Sequence, residues 1–346
     1  MNLLTVNNLN VSFRIKGIEL AALIDVSFTL NRGERIAIVG ESGAGKSILG
    51  LSIVNLLDKP GYIKSGSVKL ENKELSKMNT RQLQEIRGKR IAMIFQDPMM
   101  TLNPVLTIGA QLVEAIRSHT RISFKDARNI AIEKLHSVQI ASPERRFDQY
   151  PHELSGGMRQ RVIIASVLLL NPDIIIADEP TTALDVTIQA EIIQLLLDVC
   201  HDNSMALILI SHDLGVVSRV AERTLVMYAG RIVEEAPTLE LINDPQHPYT
   251  QGLLNALPQM SLPGQRLNQI RGNMPALNDR PSGCAFHPRC PYATQKCRTE
   301  QPNFIYNGIS SVSCFLVEDM LEEEKSEEDI DLLDIEYTTS HDEGQA

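Results

Sequence analysis

Residues 40–47 read Gly-Glu-Ser-Gly-Ala-Gly-Lys-Ser, a glycine, four residues, then glycine, lysine and serine. This is the phosphate-binding loop pattern, and it constrains the fold more than any other feature. Glycines tolerate positive φ and let backbone N–H groups curl round an anion without side-chain obstruction. The lysine reaches the β- and γ-phosphates, and the serine hydroxyl can ligate Mg²⁺. The pattern has meaning only between a buried strand and a helix. Both are present: Ile36-Ala37-Ile38-Val39 precedes it, and Ile48-Leu49-Gly50-Leu51-Ser52-Ile53-Val54 follows. A continuous apolar run of the first kind marks a strand covered on both faces of a parallel sheet. Gly40, Glu41, Ser42, Gly43, Ala44, Gly45, Lys46 and Ser47 are therefore candidate nucleotide contacts.

Two further runs of the same kind, Ile174-Ile175-Ile176-Ala177 and Ala206-Leu207-Ile208-Leu209-Ile210, alternate with helix-compatible stretches. That alternation predicts an α/β fold with a largely parallel central sheet. Upstream, Leu9, Val11 and Phe13, then Ile24, Val26, Phe28 and Leu30, follow the period of half-buried strands, with Asn31-Arg32-Gly33-Glu34 as a turn. Between Leu106 and Ile140 the period becomes helical. Ile108, Leu112, Ala115 and Ile116 form one stripe, Ile130, Ile132, Leu135 and Val138 another, and Ser123 with Asp126 suggests a capping box. An inserted helical subdomain over about 97–157 follows. Asp178-Glu179 ends the run at 174–177, where ligands bind in open α/β sheets. Asp178 is placed to hold Mg²⁺ through water, and Glu179 to orient or deprotonate an attacking water.

Leu154-Ser155-Gly156-Gly157-Met158, followed by Arg159-Gln160-Arg161, resembles the signature of ATP-binding-cassette ATPases, with Met158 where glutamine is usual. Other marks of that family appear in order. Gln96 closes the strand Ile91-Ala92-Met93-Ile94-Phe95, Ala183-Leu184-Asp185 follows the acidic pair, and His212 follows Ile210-Ser211. The resemblance implies a RecA-like core, an antiparallel β subdomain and the helical insertion. It assigns Glu179, His212 and Gln96 to catalysis, with Gln96 joining Ser47 and Asp178 at Mg²⁺. Phe13 would stack adenine, and Asp185 and Ser155-Gly156-Gly157 would serve the nucleotide of an opposing cassette.

After about Asn243 the texture changes: prolines 245, 248, 258, 263, 275, 281, 288, 291 and 302 crowd together, with four of the five cysteines at 284, 290, 297 and 314. This predicts domains at 1–243 and 244–316, then a tail over 317–346. Asp244-Pro245-Gln246-His247-Pro248-Tyr249-Thr250-Gln251, with Leu253, Leu254 and Pro258, is similar to the C-terminal extension of ATPases that drive dipeptide and oligopeptide import. So are Gly283-Cys284 and Arg289-Cys290-Pro291-Tyr292-Ala293 through Cys297. Importers of nickel, glutathione or antimicrobial peptides are close relatives. Cys284, Cys290, Cys297 and Cys314 leave gaps of five, six and sixteen residues, wider than zinc ribbons favour. Within this subgroup the resemblance implies a four-cysteine [4Fe–4S] site; zinc and unligated thiols are the alternatives. Cys200 reads as a small buried hydrophobe.

The net charge of −10 sits in the tail. From Glu318 onward thirteen acidic residues face only Lys325, leaving residues 1–317 with 32 basic and 30 acidic groups. That body lacks the basic footprint of a nucleic-acid binder, and the tail reads as a solvated end. The apolar stretch Val162–Leu170 is too short for a membrane span, and no secretory leader opens the chain. A soluble ATPase of the same family acting on DNA or ribosomes is disfavoured, since only 106 residues separate Ser47 from Leu154, too few for a long coiled coil, and one cassette is present. An iron–sulfur redox protein with a vestigial cassette would need damaged ATPase motifs. The resemblance thus implies an importer ATPase on the cytoplasmic face of the inner membrane, pairing with two permease subunits and a paralogous or identical cassette. An extracytoplasmic solute-binding protein would take part indirectly.

Overall fold

The computed structural model describes residues 2–97, 101–182, 184–257 and 269–321. Part of the Asp97–Pro104 segment, Ala183, Pro258, Pro263 and the acidic tail beyond 321 lie outside these described residues.

Strands β1 (Asn2–Ile15) and β2 (Ile18–Asn31) form an antiparallel pair that opens the chain. Val26, Phe28 and Leu30 point into the core as their alternation predicts, but at the next inward position Leu23, not Ile24, is buried. Leu9 pairs with Val26 and Val11 with Leu23, so β2 carries an extra residue between them. Such a bulge reverses which side chains face inward, and Asp25 absorbs it at φ +50°.

After β3 (Arg35–Val39) come helix α1 (Lys46–Ile53), strands β4 (Gly61–Leu70) and β5 (Lys73–Glu74), helix α2 (Thr80–Ile86) and β6 (Ile91–Ile94). The four-stranded sheet runs β2-β1-β4-β5. Among the described residues the insertion contains helices α3 (Ile108–His119), α4 (Phe124–Ser137) and α5 (Pro143–Phe147). The buried face of α4 is Ala127, Ala131 and Leu135, continued by Val138, while Ile130 and Ile132 are only half-buried on its flanks. Small residues at that seam let neighbouring helices approach, so the alanines rather than the isoleucines define it. At its N-terminus Ser123 accepts the Asp126 N–H at 3.1 Å, but its hydroxyl donates to the Asp126 carboxylate at 2.6 Å. Half of the expected capping box forms.

The chain continues through α6 (Gly156–Leu168), β7 (Ile174–Asp178), α7 (Val186–Asp202), β8 (Ala206–Ser211), α8 (Leu214–Val220), β9 (Arg223–Tyr228) and β10 (Arg231–Pro237). Strands β9-β3-β8-β7-β6 are parallel neighbours and form the heart of an eight-stranded sheet. Their uninterrupted apolar runs feed two cores. Ala37, Val39, Ile175, Ala177, Leu207 and Leu209 face one, and Ile36, Ile38, Ile174, Ile176, Ile208 and Ile210 the other.

Helices α9 (Thr238–Asn243), α10 (Pro248–Asn255) and α11 (Gln295–Thr299) precede short strands β11 (Ile305–Tyr306) and β12 (Ser311–Val312). The change of texture at 243 is not a break in the packing. Strand β12 pairs with β10, adding the extension to the edge of the main sheet, and Tyr249 and Phe286 are buried in the main core. Among the described residues no helix is long and apolar enough to cross a membrane.

Candidate functional site

The phosphate loop leaves the C-terminal end of β3, and its shape depends on glycine. Gly40 sits at φ +150°, and a Cβ there would lie 2.3 Å from the Met227 carbonyl oxygen on β9. Gly45 caps α1 at φ +105° with no side-chain bond to the first turn. The first amides of α1 are thus left without a protein side-chain cap, the usual condition of an anion-binding helix end. Lys46 is 6% exposed, and its ammonium donates to the carbonyls of Gly40 at 2.8 Å and Glu41 at 3.1 Å. Burial pulls its pKa down, against the opposing charges of Glu179, Asp178 and Glu41.

Beyond the loop lies a cavity of about 460 Å³, walled by Ser42, Gly43, Gly45, Lys46, Ser47, Phe13, Gln96 and Glu179. Gly40, Glu41 and Ala44 belong to the loop but are not among the residues lining that space. Asp178 ends β7, is 4% exposed and leaves Oδ1 without a hydrogen-bond partner. Burial raises its pKa, against the Ser47 hydroxyl bond that lowers it. An orphaned carboxylate oxygen beside a serine hydroxyl is the donor set a hard divalent cation takes.

Glu179 follows at φ +46° with its N–H donating to the Ile210 carbonyl at 2.9 Å. A non-glycine residue in the left-handed region carries strain that surrounding structure must hold. The carboxylate is held from three sides: Gln96 Nε2 donates to Oε2 at 3.1 Å, Thr182 Oγ1 to the same oxygen at 3.0 Å, and His212 Nδ1 lies 3.1 Å from Oε1. Burial pushes this carboxyl up, but the bonds from His212 and Thr182 outweigh it, so the net shift is downward. Glu179 also borders a second cavity of about 230 Å³, with Thr182, Ser211 and His212 on its wall. One carboxylate therefore sits where the phosphate-loop cavity meets a polar one.

Ser155 caps α6, accepting the Met158 N–H at 3.3 Å. Gly156 and Gly157 pack against the segment after Glu179: a Cβ on Gly157 would lie 2.9 Å from Ile188 Cγ2. Asp185 caps α7, its Oδ1 accepting the Ile188 N–H at 3.0 Å. Neither Asp185 nor the Ser155–Gly157 turn lines the Lys46 cavity of the same chain.

The four cysteines of the extension line one small cavity of about 50 Å³ together with His247 and Phe286. Burial raises the thiol pKa of Cys284 and Cys290 and pushes Cys314 up to about 11. Yet no three His, Cys, Asp or Glu side chains among the described residues are grouped to hold a metal ion. Zinc–thiolate bonds of about 2.3 Å would need the sulfurs to crowd round one point. Cys200 is buried, with its thiol pushed up to about 12 by desolvation, as an inert hydrophobe should be.

Sequence reasoning missed what the extension does here. Arg289 forms a fork on the Glu41 carboxylate, the Tyr249 hydroxyl accepts the Glu41 N–H at 2.8 Å, and Leu277 lines the Lys46 cavity. No local pattern announces these contacts, because the partners lie more than 200 residues apart in sequence. Thr182 was also missed, although its place three residues after Glu179 puts it within reach of that carboxylate.

The profile of the family described as ABC transporter matches residues 23–182, and that described as oligopeptide/dipeptide transporter, C-terminal region, matches 233–297. The chain is 47% identical over 319 residues to the oligopeptide transport ATP-binding protein AppD of Bacillus subtilis, covering 92% of this chain and 97% of that protein. It is 44% identical over 321 residues to the dipeptide transport ATP-binding protein DppD of Escherichia coli K12, covering 92% and 98%. Among solved structures, the dimeric post-hydrolysis state of the cassette MJ0796 bound to ADP and Pi superposes with TM-score 0.61 at 29% identity, covering 68% of this chain and 98% of that one.

Proposed function

Because the chain belongs to the ABC transporter family, we propose that it is the ATP-hydrolysing subunit of an importer for dipeptides or oligopeptides, peripheral on the cytoplasmic face of the cell membrane. Its energy would drive uptake through two permease subunits that a chain of this kind lacks. A solute-binding protein outside the cell would deliver the peptide, and the second cassette would be a paralogue of this chain or a second copy. The observation that carries the reading is the placement of Glu179, a half-buried carboxylate with three hydrogen-bond partners, beside the Lys46 cradle.

In this mechanism the loop amides from Ser42 to Ser47 and the Lys46 ammonium hold the nucleotide phosphates, with Phe13 against the base. To do so, Lys46 trades its bonds to the Gly40 and Glu41 carbonyls for phosphate oxygens. Ser47, Asp178 and Gln96 would hold Mg²⁺, which neutralises charge developing on the transferred phosphoryl group. Glu179 takes the proton of the attacking water, held ionised by its bonds to His212 and Thr182. Ser155-Gly156-Gly157 and Asp185 meet the nucleotide held by the opposing cassette, since they do not line their own chain's cavity. Cys284, Cys290, Cys297 and Cys314 would hold a [4Fe–4S] cluster. The shared cavity of the thiols supports that reading, since such clusters are held by four cysteine thiolates. It would staple the extension through four thiolate bonds.

The test is reconstitution with the two permeases in vesicles. Peptide-loaded binding protein should stimulate ATP hydrolysis and labelled peptide should accumulate. Uptake of nickel or glutathione with indifference to peptides would overturn the assignment of solute.

A further inference from the structure

Glu41 is out of character for its position. It places a carboxylate in a loop built to hold an anion, where its charge opposes the phosphates. The extension answers that charge. Arg289 donates through Nη1 to Glu41 Oε2 at 2.6 Å and through Nη2 to Oε1 at 3.0 Å, and the arginine side chain is only 5% exposed. A planar fork matched to a carboxylate is the geometry only arginine offers. The rest of the guanidinium is also engaged: Nε donates to the Arg271 carbonyl at 2.9 Å, and the group lies 5.8 Å from the centre of the Tyr228 ring. The backbone of the same residue is gripped as well, because the Glu41 N–H donates to the buried Tyr249 hydroxyl at 2.8 Å. Two separated parts of the extension thus converge on one residue of the phosphate loop.

We propose that Arg289 is a positioning residue for the nucleotide site: acting through Glu41, it cancels a charge that would repel the phosphates and holds the loop in its anion-binding shape. The proposal rests on the nucleotide reading of Lys46. It makes the C-terminal extension a working part of the ATP site and not only an appendage for the importer. Cys290, the next residue, lines the thiol cavity, so one peptide bond joins that cavity to the cradle.

The experiment measures equilibrium binding of a fluorescent ATP analogue with Mg²⁺ to the full chain carrying Glu179→Gln, which blocks turnover. Arg289→Ala should weaken binding about ten-fold, equivalent to about 1.4 kcal/mol, and Arg289→Lys should recover only part of the loss, because an ammonium cancels the charge but offers no fork. Adding Glu41→Gln to Arg289→Ala should recover most of the loss, because no unpaired carboxylate then faces the phosphates. Glu41→Gln alone, a change within the loop itself, is the reference for the double variant: with no carboxylate left to cancel, removing Arg289 from it should cost less than about two-fold. Wild-type affinity in Arg289→Ala, or no recovery in the double variant, would overturn the proposal; the second result means that arginine serves only to pack the extension. Should Arg289→Ala misfold, Arg289→Lys still decides, since wild-type affinity in that variant contradicts the role given to the fork. Lys46→Ala separates the levels: unaltered affinity in that variant brings down the nucleotide reading itself, whereas impaired Lys46→Ala beside normal Arg289→Ala brings down only the clamp.

Discussion

Replacing Glu179 by glutamine isolates proton transfer from everything else the side chain does. Both donors to Oε2, from Gln96 at 3.1 Å and Thr182 at 3.0 Å, meet an amide oxygen as readily as a carboxylate oxygen. The amide nitrogen then takes the place of Oε1, 3.1 Å from His212 Nδ1, and a neutral imidazole can accept from it by choosing the other tautomer. Shape, hydrogen bonds and the φ of +46° are all preserved, so the variant should fold with an unchanged melting temperature. What disappears is the capacity to take a proton, worth about 100- to 10,000-fold in rate, or about 3–5 kcal/mol of barrier. Removing a negative charge next to Lys46, where it adds to the pull of Asp178 and Glu41, should leave nucleotide binding equal or tighter. The assay pairs phosphate release over many turnovers with equilibrium nucleotide binding. A rate loss of less than ten-fold with normal binding would show that another group takes the proton. Loss of binding together with a lowered melting temperature would show that the carboxylate is a structural element whose charge the loop requires.

Lys46→Ala should abolish measurable nucleotide affinity in the range where the wild type saturates, checked by calorimetric titration. His212→Ala removes a bond that lowers the Glu179 pKa, so the acid limb of the hydrolysis profile should move to higher pH; a limb that stays in place would separate His212 from the base. His247 is fully buried with its pKa lowered to about 3 by desolvation. The unfolded chain therefore binds more protons between about pH 3 and the ordinary histidine value near 6.5, and stability should fall as pH drops through that window, by up to about 1.4 kcal/mol per unit. Comparing melting temperatures of wild type and His247→Asn isolates this slope, because Glu234, raised by burial, titrates with the opposite sign. Gly109→Ala would place a methyl 2.2 Å from the Phe147 ring and should cost about 1–3 kcal/mol, visible as a lowered denaturation midpoint.

What the sequence made legible was whatever is encoded locally. Apolar runs at 36–39, 174–177 and 206–210 are strands with both faces buried, so the parallel sheet and the loop at its carboxyl edge could be read directly. The phase of β2 could not, because a bulge at Asp25 is a property of pairing with β1 and leaves no mark in the alternation of β2 alone. The stripe expected on α4 includes the buried Leu135 and Val138 but misses Ala127 and Ala131, for a related reason. Isoleucine outweighs alanine on any hydrophobicity count, yet close helix packing selects the smaller residue for the seam. At the site, residue types named the cradle and the acidic pair, while the contacts of Glu41 with Arg289 and Tyr249 were closed to sequence reading because only the folded extension brings those residues together.

The same division bears on how the proposed ATP site would be completed by a second chain. A phosphate loop binds one side of its ligand with backbone amides, and Glu179 must face the opposite side of the γ-phosphate to act on water there. The cavity beyond Lys46 is bounded by the loop, Gln96 and Glu179, with Phe13, Ile15, Ala22 and Leu277 also on its wall, and it opens to solvent. The other helix end suited to an anion, the start of α6 after Ser155, is tied by Gly157 and Ile188 to the helix that follows Glu179. It therefore packs against the segment that follows Glu179, and it does not line its own chain's cradle. Two such chains facing one another would each lend that helix end to the partner's nucleotide, and breaking the bond to the γ-phosphate would remove the group that both walls share. Force on the permeases would then come from separating the walls. Arg289, by fixing Glu41, would decide how firmly the first wall holds before the second arrives.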